Sequence, residues 1–222
     1  MPRKQRPFIR ESAVRDARLV VIASEDSEAT PTYFETMVSP NFYQSSRVHV
    51  ELVRRDNTAS APGHVLAQIE RWLDIYQIGA EDEFWLVIDV DNWGDAKLSQ
   101  IAKTCNQKEI YLAVSNPAIK LRFLLHHTDL DRYDAATLEV LFENKKNGAR
   151  RTPLEQAILE ITGQYNKSNL DAHNYVPHVK EAIARAKALD INPNNRWPQH
   201  LGTHVYRLAQ SIIDSAPYGR KK

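Results

Sequence analysis

The chain has 222 residues, a length that fits one globular domain, or one domain with a helical extension, and that excludes a disulfide-stapled mini-protein. Its single cysteine cannot form an internal disulfide, which predicts a reducing, cytoplasmic setting. No run of about 18 apolar residues occurs, so we expect neither a signal peptide nor a membrane span. The formal net charge is only +1, yet basic residues crowd residues 1–16 and 217–222, which we expect to be tails.

Strands and helices alternate in the first half of the chain. Short apolar runs predict strands at residues 18–24, 46–55, 83–91 and 109–115. Apolar residues at helical spacing predict a first helix that Thr30 caps and Pro31 begins, and further helices at residues 61–78, 95–106 and 118–127. This order is typical of a parallel sheet with crossover helices, so the predicted fold class is α/β.

Strand-like runs disappear after about residue 128. Helical spacing continues at residues 134–147, 153–165, 171–190 and 201–215. The sequence therefore predicts an α/β domain at residues 17–128 followed by a helical appendage at residues 129–216.

Three acidic residues follow predicted strands, where parallel sheets gather their functional groups. Glu25 comes directly after the first strand, and Asp89 and Asp91 end the third, two residues apart and therefore on one face. If these strands are neighbours, three carboxylates meet at one sheet edge. Their mutual repulsion favours a hard cation such as Mg²⁺. The alternative interpretation is that these residues cap helices or open turns.

Several common active sites have no counterpart in the sequence. The seven scattered glycines form no phosphate-binding loop, which disfavours a P-loop nucleotidase or a Rossmann dehydrogenase, and no nucleophile elbow is present. Cys105, Tyr33 and Phe34 lie on apolar helix faces and are predicted to be core residues. His126 and His127 end an apolar helix and are predicted to be structural or exposed.

Six segments carry a family resemblance: VVIASEDSEATPTYF, FWLVIDVDNWGD, IYLAVSNPAIKLRFLLHH, GQYNKS, VKEAIARAKAL and LGTHVYRLAQSII. In this order they resemble the RloB-like proteins over residues 17–214, which implies a Toprim-type fold in the N-terminal half. In Toprim domains a glutamate and a D-x-D pair hold Mg²⁺, or alternatively Mn²⁺, for phosphodiester chemistry. The resemblance implies that Glu25, Asp89 and Asp91 are the catalytic metal ligands.

The sequence departs from the family pattern at Lys120. Family members usually carry S-N-P, an aromatic residue and then a glutamate, whereas this chain reads SNPAIK and has a lysine where the acid is expected. Lys120 could act on the phosphate as a catalytic residue, pair with Asp89 or Asp91, or mark a weakened second metal position. The departure puts a two-metal mechanism in doubt without removing the first metal.

Candidate nucleic-acid contacts are one aromatic and six basic residues: Trp93, Arg122, Lys145, Lys146, Arg150, Arg151 and Lys167. Trp93 directly follows the D-x-D run in a predicted loop, where it could stack on an unpaired base. Arg122 and Lys167 could neutralise charge on a phosphate. The four residues at positions 145–151 form a basic cluster of the kind that attracts phosphate, although such clusters are often merely solvated.

The resemblance implies a function in bacterial antiphage defence. The expected activity is that of a toxic nuclease, silent until an ABC-type or AAA ATPase encoded nearby releases it, with tRNA favoured as substrate over DNA. The alternative is a Toprim-like regulatory subunit with a decayed metal site, docked on the ATPase through the helical appendage. A nucleotide-sensing module would need phosphate ligands that the sequence does not reveal, and self-association is left open.

Overall fold

The computed structural model describes residues 17–54, 61–75, 78–90 and 93–215. The two predicted tails and Asp91 lie outside these residues. The first half contains β1 (Arg18–Ser24), α1 (Ala29–Met37), β2 (Val48–Val53), α2 (Pro62–Ile75), β3 (Glu83–Asp89), α3 (Asp95–Gln107), β4 (Tyr111–Asn116) and α4 (Lys120–His127). The second half contains α5 (Ala135–Glu143), α6 (Pro153–Thr162), α7 (Val179–Leu189), β5 (Gly202–Thr203) and α8 (Val205–Asp214), with 3-10 turns at Lys167–Asn169, Ala172–Asn174 and Val176–His178.

The five strands form one sheet in the order β2-β1-β3-β4-β5. Strands β1 to β4 are parallel, and β5 pairs antiparallel with the end of β4. From β1 the chain passes outward to β2 and then returns to β3 on the other side of β1. This reversal makes a crevice at the carboxyl ends of β1 and β3, where α/β proteins bind their ligands. The predicted α/β fold class is confirmed.

Helices cover both faces of the sheet, because the central strands are apolar on both sides. On one face Val20 and Ile22 of β1 pack with residues of α1, α4, α6, α7 and α8. On the other face Leu19 and Val21 pack with α2 and α3, where Cys105 is buried as predicted. None of the helices among the described residues is long and apolar enough to cross a bilayer.

The second half of the chain joins the same core as the sheet. Residues of α6, α7 and α8 share a hydrophobic cluster with Val20 and Ile22, and β5 extends the sheet beside β4. The sequence did not predict β5, because two paired residues produce no alternating pattern. The described residues of the predicted domain and of the predicted appendage are therefore packed together along this face.

Several helix boundaries differ from the prediction. The first helix begins at Ala29 rather than Pro31, and the Thr30 backbone N–H donates to the Asp26 carboxylate (2.5 Å), so Thr30 is not its cap. The segment predicted as a helix from residue 171 forms 3-10 turns until α7 begins at Val179, and Pro177 within it has no N–H for a helical hydrogen bond. The last helix starts at Val205, after β5.

Folding stability is expected to fall in mild acid because His204 is buried. Its Nε2 lies 3.5 Å from Asp190 Oδ1, while burial and the nearby Arg207 lower the pKa of His204 to about 4 against the pull of Asp190. The unfolded chain takes up this proton near pH 6.5, so stability is lost as the pH falls from about 6.5 towards 4. We expect a loss of about 2 kcal/mol at pH 5, measured by urea unfolding.

The His204→Gln variant provides the comparison for this pH effect. It should lose less stability between pH 7 and pH 5 than the unaltered protein, because glutamine does not titrate. Some loss should persist, since burial also lowers the pKa of His126. Equal losses in the two proteins would show that His204 does not carry the effect.

Candidate active site

Two of the predicted acids, Glu25 and Asp89, lie together at the crevice between β1 and β3. The Glu25 backbone N–H continues the strand pairing by donating to the Val87 carbonyl (2.9 Å). Its side chain turns across the end of β3, where Oε2 accepts a hydrogen bond from the Asp89 backbone N–H (3.2 Å). Both residues are half-buried, so the edge that they form can be reached from solvent.

Asp89 also holds the start of α4. Its Oδ1 accepts a hydrogen bond from the Ile119 backbone N–H (2.7 Å), at the residue just before that helix. A carboxylate is favoured there because helix N-termini carry unpaired N–H groups and a partial positive charge. Asp89 therefore acts as a helix-capping residue, as the alternative interpretation proposed. It lies beside Glu25 as well.

Trp93 contacts the acidic pair rather than lying free in a loop. Its indole Nε1–H donates to both carboxylate oxygens of Glu25 (3.2 and 3.3 Å), and the Lys97 ammonium sits 3.9 Å from the centre of its ring. The indole N–H therefore orients Glu25, and Lys97 lies against the ring. Base stacking on Trp93 stays a prediction.

The third predicted ligand, Asp91, lies outside the described residues. Within the described ranges, no group of three or more His, Cys, Asp or Glu side chains is arranged to hold a metal ion. Of the three predicted ligands, the described part of the crevice thus contains Glu25 and Asp89.

A third acid at the crevice, Asp26, escaped the sequence prediction. It is buried, its Oδ2 accepts the Thr30 N–H at the start of α1, and its Oδ1 lies 3.2 Å from the Lys167 ammonium. Burial acts to lower the pKa of Lys167, but Asp26, and beyond it Asp89 and Glu25, raise it above its usual range. Lys167 therefore stays protonated and partly offsets the negative charge of this edge, and its predicted contact with a phosphate stays a prediction.

Lys120 pairs with an acid that the sequence did not single out. Its ammonium lies 3.3 Å from Glu155 Oε1, and both side chains are largely buried. Glu155 belongs to the capping box of α6, where its other oxygen accepts the Thr152 N–H (2.9 Å). Burial acts to raise the pKa of Glu155, but the Thr152 N–H and Lys120 outweigh it and lower that pKa. One of the three roles predicted for Lys120 was an ion pair with Asp89 or Asp91. In the structure Lys120 pairs with Glu155 and not with Asp89.

The prediction that Arg122 contacts nucleic acid is wrong. Only 4% of this residue is exposed, its Nη1 donates to the Val205 carbonyl (3.1 Å), and its guanidinium lies 4.4 Å from the centre of the Tyr33 ring. Arg122 lies on α4, which is buried on nearly every side, so its charge points into the protein. The core assignment of Tyr33 and Phe34 is confirmed.

The basic cluster lies on the loop between α5 and α6. Lys145, Lys146 and Arg150 are exposed and Arg151 is half-buried, while Lys145 also pairs with Glu143 (3.3 Å). Lys146 contributes to the lowered pKa of Glu155, so this loop neighbours the Lys120–Glu155 pair. The binding of this loop to nucleic acid stays a prediction.

His126 and His127, predicted to be structural or exposed, differ in burial. His126 is buried, and its Nε2 shares a hydrogen bond with the Tyr33 hydroxyl (2.9 Å) while its Nδ1 bonds the Arg122 carbonyl (2.8 Å). His127 is half-buried and packs on Tyr175. Burial raises the pKa of the Cys105 thiol to about 12, as expected of an unreactive core residue.

Comparison with known proteins gives one match. A family model described as RloB-like protein matches residues 20–212, which is most of the chain and includes every described residue of the crevice. No curated protein and no solved structure matches the chain.

Proposed function

The chain belongs to the RloB-like protein family, and from this premise we propose that it is a Toprim-like, Mg²⁺-dependent endonuclease. Its expected role is that of a toxic effector of bacterial antiphage defence, held silent by an ABC-type or AAA ATPase encoded nearby, with tRNA as the favoured substrate. The observation that carries the proposal is the meeting of Glu25 and Asp89 at the carboxyl ends of two adjacent parallel strands.

The acids of the crevice suit a hard divalent cation. Carboxylate oxygens are the ligands that Mg²⁺ prefers, and this ion commonly uses one or two carboxylates together with substrate phosphate and water. Glu25 and Asp89 supply two such groups, each oriented by backbone or indole N–H donors and each accessible to solvent. When bound, the cation would polarise the phosphate and stabilise the charge on the leaving oxygen.

The chain's own residues would position the substrate around these acids. Trp93 and the Asp89 N–H keep the Glu25 carboxylate at the end of β3. Lys167, protonated beside Asp26, can approach a phosphate from the helical side of the crevice. The exposed Lys146 and Arg150 would hold the strand by its phosphates further along the surface.

The alternative, a regulatory subunit without catalysis, also has support. Lys167 already places a positive charge at the acidic edge, and Lys120 stands where the family usually has a glutamate. In a regulatory subunit, the Lys167 ammonium would offset the acidic charge in place of a metal ion. The crevice would then serve as a docking surface.

The two functions differ in the outcome of one assay. Purified protein is incubated with tRNA, single-stranded DNA or duplex DNA in the presence of Mg²⁺, Mn²⁺ or EDTA, alone and with its genomic ATPase. We expect tRNA cleavage that needs the metal and is abolished in Asp89→Ala, and cellular RNA ends after phage infection should show the same cuts. DNA nicking with intact tRNA would overturn the choice of substrate, whereas an antiphage effect that survives Asp89→Ala would favour the regulatory subunit.

A further inference from the structure

The segment that follows α6 folds around a cavity of about 470 Å³, a size typical of small-ligand sites. Four side-chain amides line it, from Gln164, Asn166, Asn169 and Asn174, together with two tyrosines, Tyr165 and Tyr175. Among the described residues that line it there is no lysine or arginine, and Asp171 contributes a carboxylate. This lining disfavours a phosphate and favours a neutral, planar group with several hydrogen-bonding atoms.

Two of the four amides have both their donor and their acceptor unbonded within the described residues. Asn166 Oδ1 accepts the Ser168 N–H (3.1 Å), and Asn174 Nδ2 donates to Asp171 (2.9 Å), so these two amides stabilise the segment itself. The side-chain amides of Gln164 and Asn169 are exposed and form no hydrogen bond within the described part of the chain. Each offers a donor beside an acceptor, the arrangement that pairs with the edge of a nucleobase.

The two tyrosines form a buried floor beneath the amides. Tyr165 is 8% exposed, and its hydroxyl has no hydrogen-bond partner among the described residues. Tyr175 is also buried and packs against Phe123 and His127. Because both rings are almost fully buried, they form the floor of the cavity and present no open face for stacking.

The same segment reaches the acidic crevice. Lys167, two residues after Tyr165, forms the ion pair with Asp26 at the end of β1 (3.2 Å). Burial raises the pKa of the Tyr165 hydroxyl most, Glu155 and Tyr175 raise it next, and Asp26 and Asp89 add a smaller effect, so Tyr165 lies near the acids of the crevice. A strand whose phosphate lay at Glu25 and Asp89 would therefore pass beside the cavity.

We propose that this cavity receives one unstacked nucleobase and that Gln164 and Asn169 read its hydrogen-bonding edge. The inference rests on the proposed function in one respect, because it takes a nucleic acid strand as the ligand. It adds base selectivity at a site separate from the carboxylates: the crevice holds the phosphate, and the amide-lined cavity selects the neighbouring base.

Binding of short oligoribonucleotides tests this selectivity. Each probe carries a single A, C, G or U within an otherwise abasic strand, and its affinity is measured by fluorescence anisotropy in EDTA. We expect the unaltered protein to bind one of the four about tenfold more tightly than the others. The double variant Gln164→Ala/Asn169→Ala should bind all four equally, at the weaker level, because both reading groups are gone.

The control variant is Asn192→Ala, which removes an exposed amide outside the cavity and should keep the tenfold preference. Equal binding of the four probes by the unaltered protein, or a preference that survives in the double variant, would overturn the inference. Because EDTA prevents cleavage, this result is independent of the nuclease assay. A base preference without any cleavage would reject the proposed nuclease and keep the cavity, and cleavage without a preference would do the reverse.

Discussion

Replacing Glu25 with glutamine is expected to slow phosphodiester cleavage by about 100-fold or more, since a metal-binding carboxylate contributes several kcal/mol to such a reaction. Glutamine has nearly the shape of glutamate and keeps an oxygen that can accept the Asp89 and Trp93 N–H groups. The substitution therefore removes a negative charge from the crevice while retaining those contacts. Single-turnover cleavage of tRNA, measured over a range of Mg²⁺ concentrations, should show both a lower rate and a higher Mg²⁺ requirement.

The matched control for this variant is Glu35→Gln on α1. Glu35 is exposed and pairs with Arg54 (2.7 Å), outside the described crevice, so its loss of charge should leave the rate unchanged. Thermal unfolding of both variants should resemble that of the unaltered protein. If Glu25→Gln cleaved tRNA at the normal rate, the carboxylate pair would have no catalytic role, and the cleavage would have to depend on other residues of the chain.

Much of what makes the crevice could be predicted from local pattern. The runs RLVVIAS and EFWLVID are almost continuously apolar, and both become central strands, whereas VHVELV alternates and becomes the half-buried edge strand β2. These patterns indicate which strands are central, but the run of β4 is also apolar, so they leave open whether β1 lies next to β3. That neighbour relation is the condition under which Glu25 and Asp89 meet.

Contacts between distant parts of the chain could not be predicted in the same way. The ion pairs Asp26–Lys167 and Lys120–Glu155 join the sheet half to residues far along the sequence, and no spacing rule identifies such partners. Arg122 gave a misleading signal, because an arginine at the start of a helix resembles a phosphate ligand when the packing of that helix is unknown. The apolar neighbours of Arg122 on both sides, in KLRFLL, were the available indication that α4 is buried.

Breaking the buried ion pair between β1 and β3 is expected to destabilise the fold more than breaking an exposed ion pair. Arg18 Nη1 lies 2.9 Å from Glu83 Oε1, and both side chains are almost fully buried. Ser211 of α8 completes the network: its hydroxyl accepts from Arg18 (2.8 Å) and donates to Glu83 (2.8 Å). The Trp85 indole N–H also donates to Glu83 (2.8 Å). This network ties the last helix to the two central strands.

Arg18→Met should lower the free energy of unfolding by about 3–5 kcal/mol, because it leaves the Glu83 carboxylate buried without its counter-charge. Urea unfolding at neutral pH measures the change. The double variant Arg18→Met/Glu83→Gln should recover part of the loss, since a neutral amide can still accept from Trp85 and Ser211. Arg54→Ala breaks the exposed pair with Glu35 and should cost at most about 1 kcal/mol. If Arg18→Met were no more destabilising than Arg54→Ala, the crevice would not depend on this network, and the packing of α8 on the sheet would have to come from its apolar contacts alone.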